Sequence, residues 1–285
     1  ARNHFQQNPV NTNEWYMSGG FGCLKSTDAG QNWRYKTDGI NIPVMYRTHF
    51  HLTNPNFIYM PMGDLTMGRI TDGGTTGEIT DYAFYSFAAL QDFSNATAVL
   101  TTAANPNKNY IVGGNIYSGE ISGVFVTSNN GANYTKVITS GLPAGTNRPI
   151  INGVASDVNE NQLIVFVGGD YSNAGSVGGV YWSSNGIAQN IMAPGTFYSN
   201  YGLAKDPVST SKRYGYFEGD GGGFYESLDE GKNWVLKSNI FAGYKPSGTL
   251  CVHPTSQNLF FLAISYYGLY RTTDCGTTWS YMSGW

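Results

Sequence analysis

An all-β fold is predicted for this 285-residue chain by three observations. The first is a recurring octet. Ser227-Leu-Asp229-Glu-Gly231-Lys-Asn-Trp234 returns as Thr272-Thr-Asp274-Cys-Gly276-Thr-Thr-Trp279 and as Ser26-Thr-Asp28-Ala-Gly30-Gln-Asn-Trp33. Weaker copies stand at Thr127-Ser-Asn129-Asn-Gly131-Ala-Asn-Tyr134, around Asp72-Gly73-Gly74 and at Ser183-Ser-Asn185-Gly186, at intervals of about 44 to 57 residues, a period that signals propeller blades or stacked repeats. The second is what precedes each copy: Gly223-Phe-Tyr-Glu, Gly268-Leu-Tyr-Arg, Gly123-Val-Phe-Val and Gly179-Val-Tyr-Trp read as strands of period two. The third is composition. With 37 Gly, 21 Tyr and 15 Phe against 12% charged residues, strand and turn formers crowd out helix-favouring runs.

Each octet is a tight hairpin turn, in which the Asp or Asn bonds its own downstream backbone and Gly takes positive φ. Aligning on the octets predicts six four-stranded antiparallel blades of a β-propeller in one domain over 1–285, bounded near 1–38, 39–92, 93–145, 146–194, 195–243 and 244–285. A seventh blade is compatible only if it is supplied from elsewhere. The strands of each blade are here called first to fourth, from the centre outward.

In the first blade they fall at Asn3–Phe5, Glu14–Met17, Cys23–Lys25 and Trp33–Tyr35. The second has Met45–Phe50, Phe57–Met60, Met67–Ile70 and a fourth near Glu78-Ile79, and the third Ala98–Thr101, Tyr110–Val112 and Val124–Val126. The fourth has Ile150–Val154, Leu163–Val167 and Val180–Trp182; the fifth has Tyr201–Ala204, Arg213–Phe217, Phe224-Tyr225 and Trp234–Leu236. The sixth has Thr249–Val252, Leu259–Leu262, Leu269-Tyr270 and Trp279–Tyr281. Asn8-Pro9, Asn54-Pro55, Asn105-Pro106, Asp206-Pro207 and His253-Pro254 mark the turn after the first strand, because proline cannot continue a central strand. The chain thus starts on a first strand and ends on a fourth. Ring closure would then rest on packing between the terminal blades, or on a second domain or neighbouring subunit that completes the ring or the cleft.

A net charge of −3 and dispersed Lys and Arg argue against a nucleic-acid backbone as partner. No apolar run reaches membrane-spanning length, so no membrane insertion is expected, and no targeting segment is visible. The first residue is not Met, which suggests a processed chain or a fragment. Cys23, Cys251 and Cys275 have no metal-ligand spacing and allow at most one disulfide. His49 and His51 share a strand face without a third ligand, so neither metal nor cofactor is expected. Asn95-Ala-Thr97 and Asn133-Tyr-Thr135 match the glycosylation sequon, and the polar, aromatic-rich composition favours a secreted or cell-surface location.

Chemistry is expected in the loops between second and third strands. They carry Asp64, Asp170, Glu218 and Asp220, which in a propeller would converge at one mouth of the channel as candidate catalytic acid, base or nucleophile. Tyr85, Tyr171, Tyr201 and Tyr266 are candidate substrate-binding rings there, since an amphipathic ring beside carboxylates suits the apolar face of a sugar. The alternative for the carboxylates is turn capping at strand ends, and for many of the aromatics it is packing between blades.

The Ser/Thr-x-Asp-x-Gly-x-x-Trp hairpins and the Gly-x-Tyr-x-Ser/Thr strands before them resemble the Asp boxes of xyloglucanase-type glycoside hydrolases and, more distantly, of sialidases. Xyloglucanases of this type pair two propellers and cleave between them with two aspartates, so the resemblance implies a polysaccharide or glycan partner. Neither aspartate's local motif recurs here, and Arg148-Pro-Ile150 departs from the Arg-Ile-Pro signature of sialidases. Two readings follow: a glycoside hydrolase using the loop carboxylates, or a non-catalytic glycan-binding or assembly propeller at the cell surface.

Overall fold

The computed structural model describes residues 4–19, 22–35, 48–62, 67–76, 81–82, 96–114, 123–129, 133–138, 140–142, 150–168, 178–184, 186–192, 202–217, 221–240 and 248–283. Among them there is no helix, and the strands form six four-stranded antiparallel sheets.

Sheet 1 holds β1 (His4–Gln7), β2 (Trp15–Gly19), β3 (Gly22–Ser26) and β4 (Arg34–Tyr35). Sheet 2 holds β5 (His49–Phe50), β6 (Ile58–Pro61), β7 (Met67–Ile70) and β8 (Asp81–Tyr82). Sheet 3 holds β9 (Ala96–Thr101), β10 (Asn109–Gly113), β11 (Gly123–Thr127) and β12 (Thr135–Lys136). Sheet 4 holds β13 (Ile150–Ala155), β14 (Leu163–Val167), β15 (Gly179–Ser183) and β16 (Gln189–Met192). Sheet 5 holds β17 (Gly202–Lys205), β18 (Arg213–Phe217), β19 (Gly223–Ser227) and β20 (Val235–Ser238). Sheet 6 holds β21 (Gly248–Val252), β22 (Phe260–Ile264), β23 (Gly268–Thr272) and β24 (Ser280–Tyr281). Every sheet runs in simple chain order from first to fourth strand.

One expectation is corrected. The fourth strand of sheet 2 lies at Asp81–Tyr82, where Tyr82 pairs with Gly68, three residues beyond the expected Glu78-Ile79. The two-residue strand has too little alternation to be legible in sequence.

Successive sheets pack face to face, because a strand that alternates apolar residues on both faces must be covered on both. Tyr16, Phe50, Ile58, Met60 and Ile70 fill the joint between sheets 1 and 2, with the Tyr16 and Phe50 rings 5.2 Å apart. Tyr59 and Met67 meet Val99, Ile111 and Phe125 between sheets 2 and 3. Leu100, Tyr110 and Val112 meet Leu163, Val165 and Val167 between sheets 3 and 4. Ile164 and Phe166 meet Leu203 and Phe217 in the next joint, and Tyr214 and Phe224 meet Phe260 and Leu262 in the one after. The first and last sheets touch through β1 and β21.

Polar side chains reinforce these joints. Lys205 Nζ reaches Asp157 Oδ1 at 2.6 Å and the Thr101 carbonyl at 2.7 Å, tying sheets 5, 4 and 3 together. Burial pushes the Lys205 amine down from its ordinary value while Asp157 opposes that shift. Gln257 Nε2 donates to Asp206 Oδ1 at 2.9 Å, joining sheet 6 to sheet 5, and the Tyr214 hydroxyl donates to Asp206 Oδ2 at 2.6 Å.

Candidate functional site

Three turns join the four strands of each sheet, and each has its own chemistry. The turn between third and fourth strands is the recurring hairpin. Ser26 Oγ donates to Asp28 Oδ1 at 2.7 Å and accepts from the Gly30 amide at 2.9 Å. The Asp28 carboxylate then accepts from the Asn32 amide at 2.9 Å and from Asn32 Nδ2 at 2.7 Å. Ser227, Asp229, Gly231 and Asn233 repeat the arrangement, and so do Thr272, Asp274, Gly276 and Thr278. Two consecutive residues are left-handed in each: Ala29 and Gly30, Glu230 and Gly231, Cys275 and Gly276. Trp33 and Trp279 close the turn by donating indole N–H to the Gly30 and Gly276 carbonyls at 3.0 and 3.1 Å. Side-chain and backbone donors from Asn32 and Thr278 hold the carboxyls of Asp28 and Asp274 down to about 2. These carboxylates are consumed by the turn.

The turn between first and second strands is capped by one side chain in each sheet. Asn8 Oδ1 accepts from the Val10 amide at 2.9 Å, Ser156 Oγ from Val158 at 3.1 Å and Asp206 Oδ1 from Val208 at 2.8 Å. Thr102 Oγ1 accepts from Ala104 at 3.2 Å. His51 and His253 fill the same place, their Nδ1 atoms accepting from Thr53 and Thr255 at 3.2 and 3.3 Å. The sequence reading marked Asn8, Asp206 and His253 only through the proline after them and missed the shared cap, because five residue types with one common property, a short-range acceptor, do not look alike. Among the described residues no three His, Cys, Asp or Glu side chains cluster in a way that could hold a metal ion.

The connection between second and third strands is the one that sequence singled out. In every sheet it leaves where the first strand begins. Its strand-end pairs are Gly19 with Gly22, Pro61 with Met67, Gly113 with Gly123, Val167 with Gly179, Phe217 with Gly223, and Ile264 with Gly268. Asp64, Asp170, Glu218 and Asp220 belong to the second, fourth and fifth of these connections and lie outside the described residues, as do Tyr85, Tyr171, Tyr201 and Asn95. At the edge of the sheet 5 connection Tyr225, half-buried edge-on against Phe217, donates its hydroxyl to the Gly221 carbonyl. Tyr225 was expected only as a strand residue, and this bond anchors the end of the loop that carries Glu218 and Asp220.

The sheet 6 connection is described in full. It is a three-residue turn in which the Tyr267 amide donates to the Ile264 carbonyl at 3.1 Å. Tyr266 stands at its tip, 104% exposed and with φ 68°. A left-handed β-carbon costs roughly 1–2 kcal/mol, which Gly would avoid and Asn would reduce. Tyr266 shares this conformation with Ala29, Glu230 and Cys275 of the recurring hairpins, but its ring is the one that stands fully exposed at a loop tip of this face. Tyr267 beside it is 39% exposed, so the tip offers two phenol rings. Asn133 is exposed on the hairpin between third and fourth strands of sheet 3, its amide donating to Asn129 Oδ1 at 3.0 Å.

Three solved structures place this architecture among known folds. The GH74 enzyme of Niastella koreensis superposes with a TM-score of 0.62 at 15% identity, over 98% of this chain and 47% of that one. An ancestral GH74 enzyme gives 0.62 at 19% identity, over 98% and 38%. YCF48 from Cyanidioschyzon merolae gives 0.58 at 13% identity, over 98% and 84%. The chain thus spans less than half the length of the two GH74 chains and most of the YCF48 chain. It shares the β-propeller fold seen in GH74 enzymes, in agreement with the resemblance its hairpins suggested. No family model matches the sequence, and no curated protein matches it.

Proposed function

We propose that the six sheets are the six blades of a single propeller over 1–285, closed by β1 against β21, and that the protein is a secreted or cell-surface glycan-binding module. The ligand would lie on the face where the connections between second and third strands emerge. The observation that carries this reading is Tyr266, an unburied ring held in a left-handed turn at that face. Phenol rings bind sugars because the C–H face of a pyranose covers the ring while its hydroxyls stay wet.

Hydrolysis is the finer reading. In it, two of Asp64, Asp170, Glu218 and Asp220 act as acid and as base or nucleophile on a β-linked polysaccharide, with Tyr85, Tyr171 and Tyr201 lining the subsites. Similarity to GH74 enzymes supports this reading. The similar length of the YCF48 chain, of which 84% is covered, supports a non-catalytic binding or assembly role instead. A second domain or a neighbouring subunit would complete a cleft in the hydrolytic reading and is not needed in the other. Asn95 and Asn133 are the glycosylation sites proposed for a secreted chain.

A panel of plant and microbial polysaccharides tests both. Retardation in affinity electrophoresis that Tyr266→Ala weakens about tenfold supports the binding face. Release of reducing ends that Asp170→Asn or Asp220→Asn abolishes supports hydrolysis. Binding without release leaves the non-catalytic reading, and no binding to any member of the panel rejects the glycan assignment.

A further inference from the structure

The joint between sheets 6 and 1 differs from the other five, and strand register makes the comparison exact in position. The second residue of each second strand faces the following sheet. In order these are Tyr16, Tyr59, Tyr110, Ile164 and Tyr214, all buried, and then Phe261, which is half-buried. The residue just before it faces the preceding sheet. Ile58, Asn109, Leu163, Arg213 and Phe260 are buried there, whereas Trp15 of sheet 1 is half-buried. The two exceptions lie on the two sheet faces that bound this joint.

One further observation agrees. β10, β14 and β18 are buried at every position, while β22 alternates between buried and half-buried, with Phe261 and Ala263 on one face.

The geometry points to a propeller that opens at one built-in seam: sheets 6 and 1 are held at the axis by β1 against β21, and part there before any other joint yields. This inference concerns the propeller itself and stands whether or not a glycan binds. Opening free energies within one protein follow local apolar burial, so the seam strands open at lower cost than the rest.

Native-state hydrogen exchange of the full chain, read by mass spectrometry, tests it. Peptides from β2, β3, β22 and β23 should exchange at least about tenfold faster than peptides from β10, β14 and β18, although all lie in four-stranded ladders. Ala263→Leu, which adds bulk to the open side, should slow exchange in sheets 6 and 1 and raise Tm. Ala98→Leu, aimed into the filled joint between sheets 3 and 4, should lower Tm. Equal protection across the six sheets would overturn the seam, and so would a drop in Tm with Ala263→Leu as large as that with Ala98→Leu.

Discussion

The hairpins of sheets 1 and 6 are nearly the same object in two settings. Ser26-Thr-Asp28-Ala-Gly30 and Thr272-Thr-Asp274-Cys-Gly276 make the same hydrogen bonds within a few tenths of an ångström, with the same pair of left-handed residues. Yet Gly276 is buried against Phe224 of sheet 5, and Gly30 meets nothing of sheet 6. Sheet 2 resembles sheet 1 in this respect, since Gly73 and Gly74 meet only Asn56, Pro55 and Ile58 of their own sheet. The difference teaches that the hairpin builds itself from local bonds, while its contribution to cohesion depends on the sheet before it.

The largest test of that difference lies on β22, where adjacent phenylalanines face opposite joints. Phe260→Ala should cost about 3–5 kcal/mol in urea unfolding, because Phe260 is fully buried against sheet 5. Phe261→Ala should cost about 1–2 kcal/mol, since only part of its area leaves water. Equal losses would mean that the two joints are equally tight.

Next in size is the paired glycine substitution. Gly276→Ala carries the left-handed penalty plus a clash with Phe224, about 2–4 kcal/mol together. Gly30→Ala carries the backbone penalty alone, about 1–2 kcal/mol. The gap between the two values measures how much of the hairpin's worth is supplied by its neighbour.

A smaller effect should be the same in both settings. The carboxyls of Asp28 and Asp274 are held at about 2, below the ordinary 3.8. A group with a depressed folded pKa adds stability that is present above its unfolded value and lost as pH falls through the folded one. Stability should therefore decline between about pH 4 and pH 2, and Asp28→Asn and Asp274→Asn should each flatten that decline to a similar degree. Sheet 3, which has Asn129 at this position, adds nothing to the slope. Unequal flattening would show that the neighbour sheet reaches into the turn chemistry as well.

The smallest expected change in stability is at the tip of sheet 6. Tyr266→Gly removes a left-handed β-carbon but loosens the unfolded chain, so unfolding should shift by no more than about 0.5 kcal/mol. Glycan retardation should nevertheless fall. A large loss of stability would mean that the ring packs on something and is not a contact for a ligand.

Much of this architecture was legible because its signals are local. Asp followed two residues later by Gly fixes a turn, period-two apolar runs fix the strands on each side, and prolines mark the next corner. The octet before β20 could be read off directly, while β20 itself, read as Trp234–Leu236, runs from Val235 to Ser238. β8 could not, being two residues long, and the capping row from Asn8 to His253 was hidden by its varied chemistry. Of the proposed site residues, Tyr266 was found by its place in a loop, but its exposure and its left-handed backbone are visible only in three dimensions.

The amino-acid sequence alone determined the repeat, the hairpins and the order of strands, since each depends on residues within one turn or one strand pair. Tertiary structure decided which faces are covered. Phe260 and Phe261 are identical side chains at neighbouring positions, and burial is set by whatever sheet arrives opposite them. Apolar stabilisation scales with the area two surfaces hide from water together, a quantity that no single segment carries.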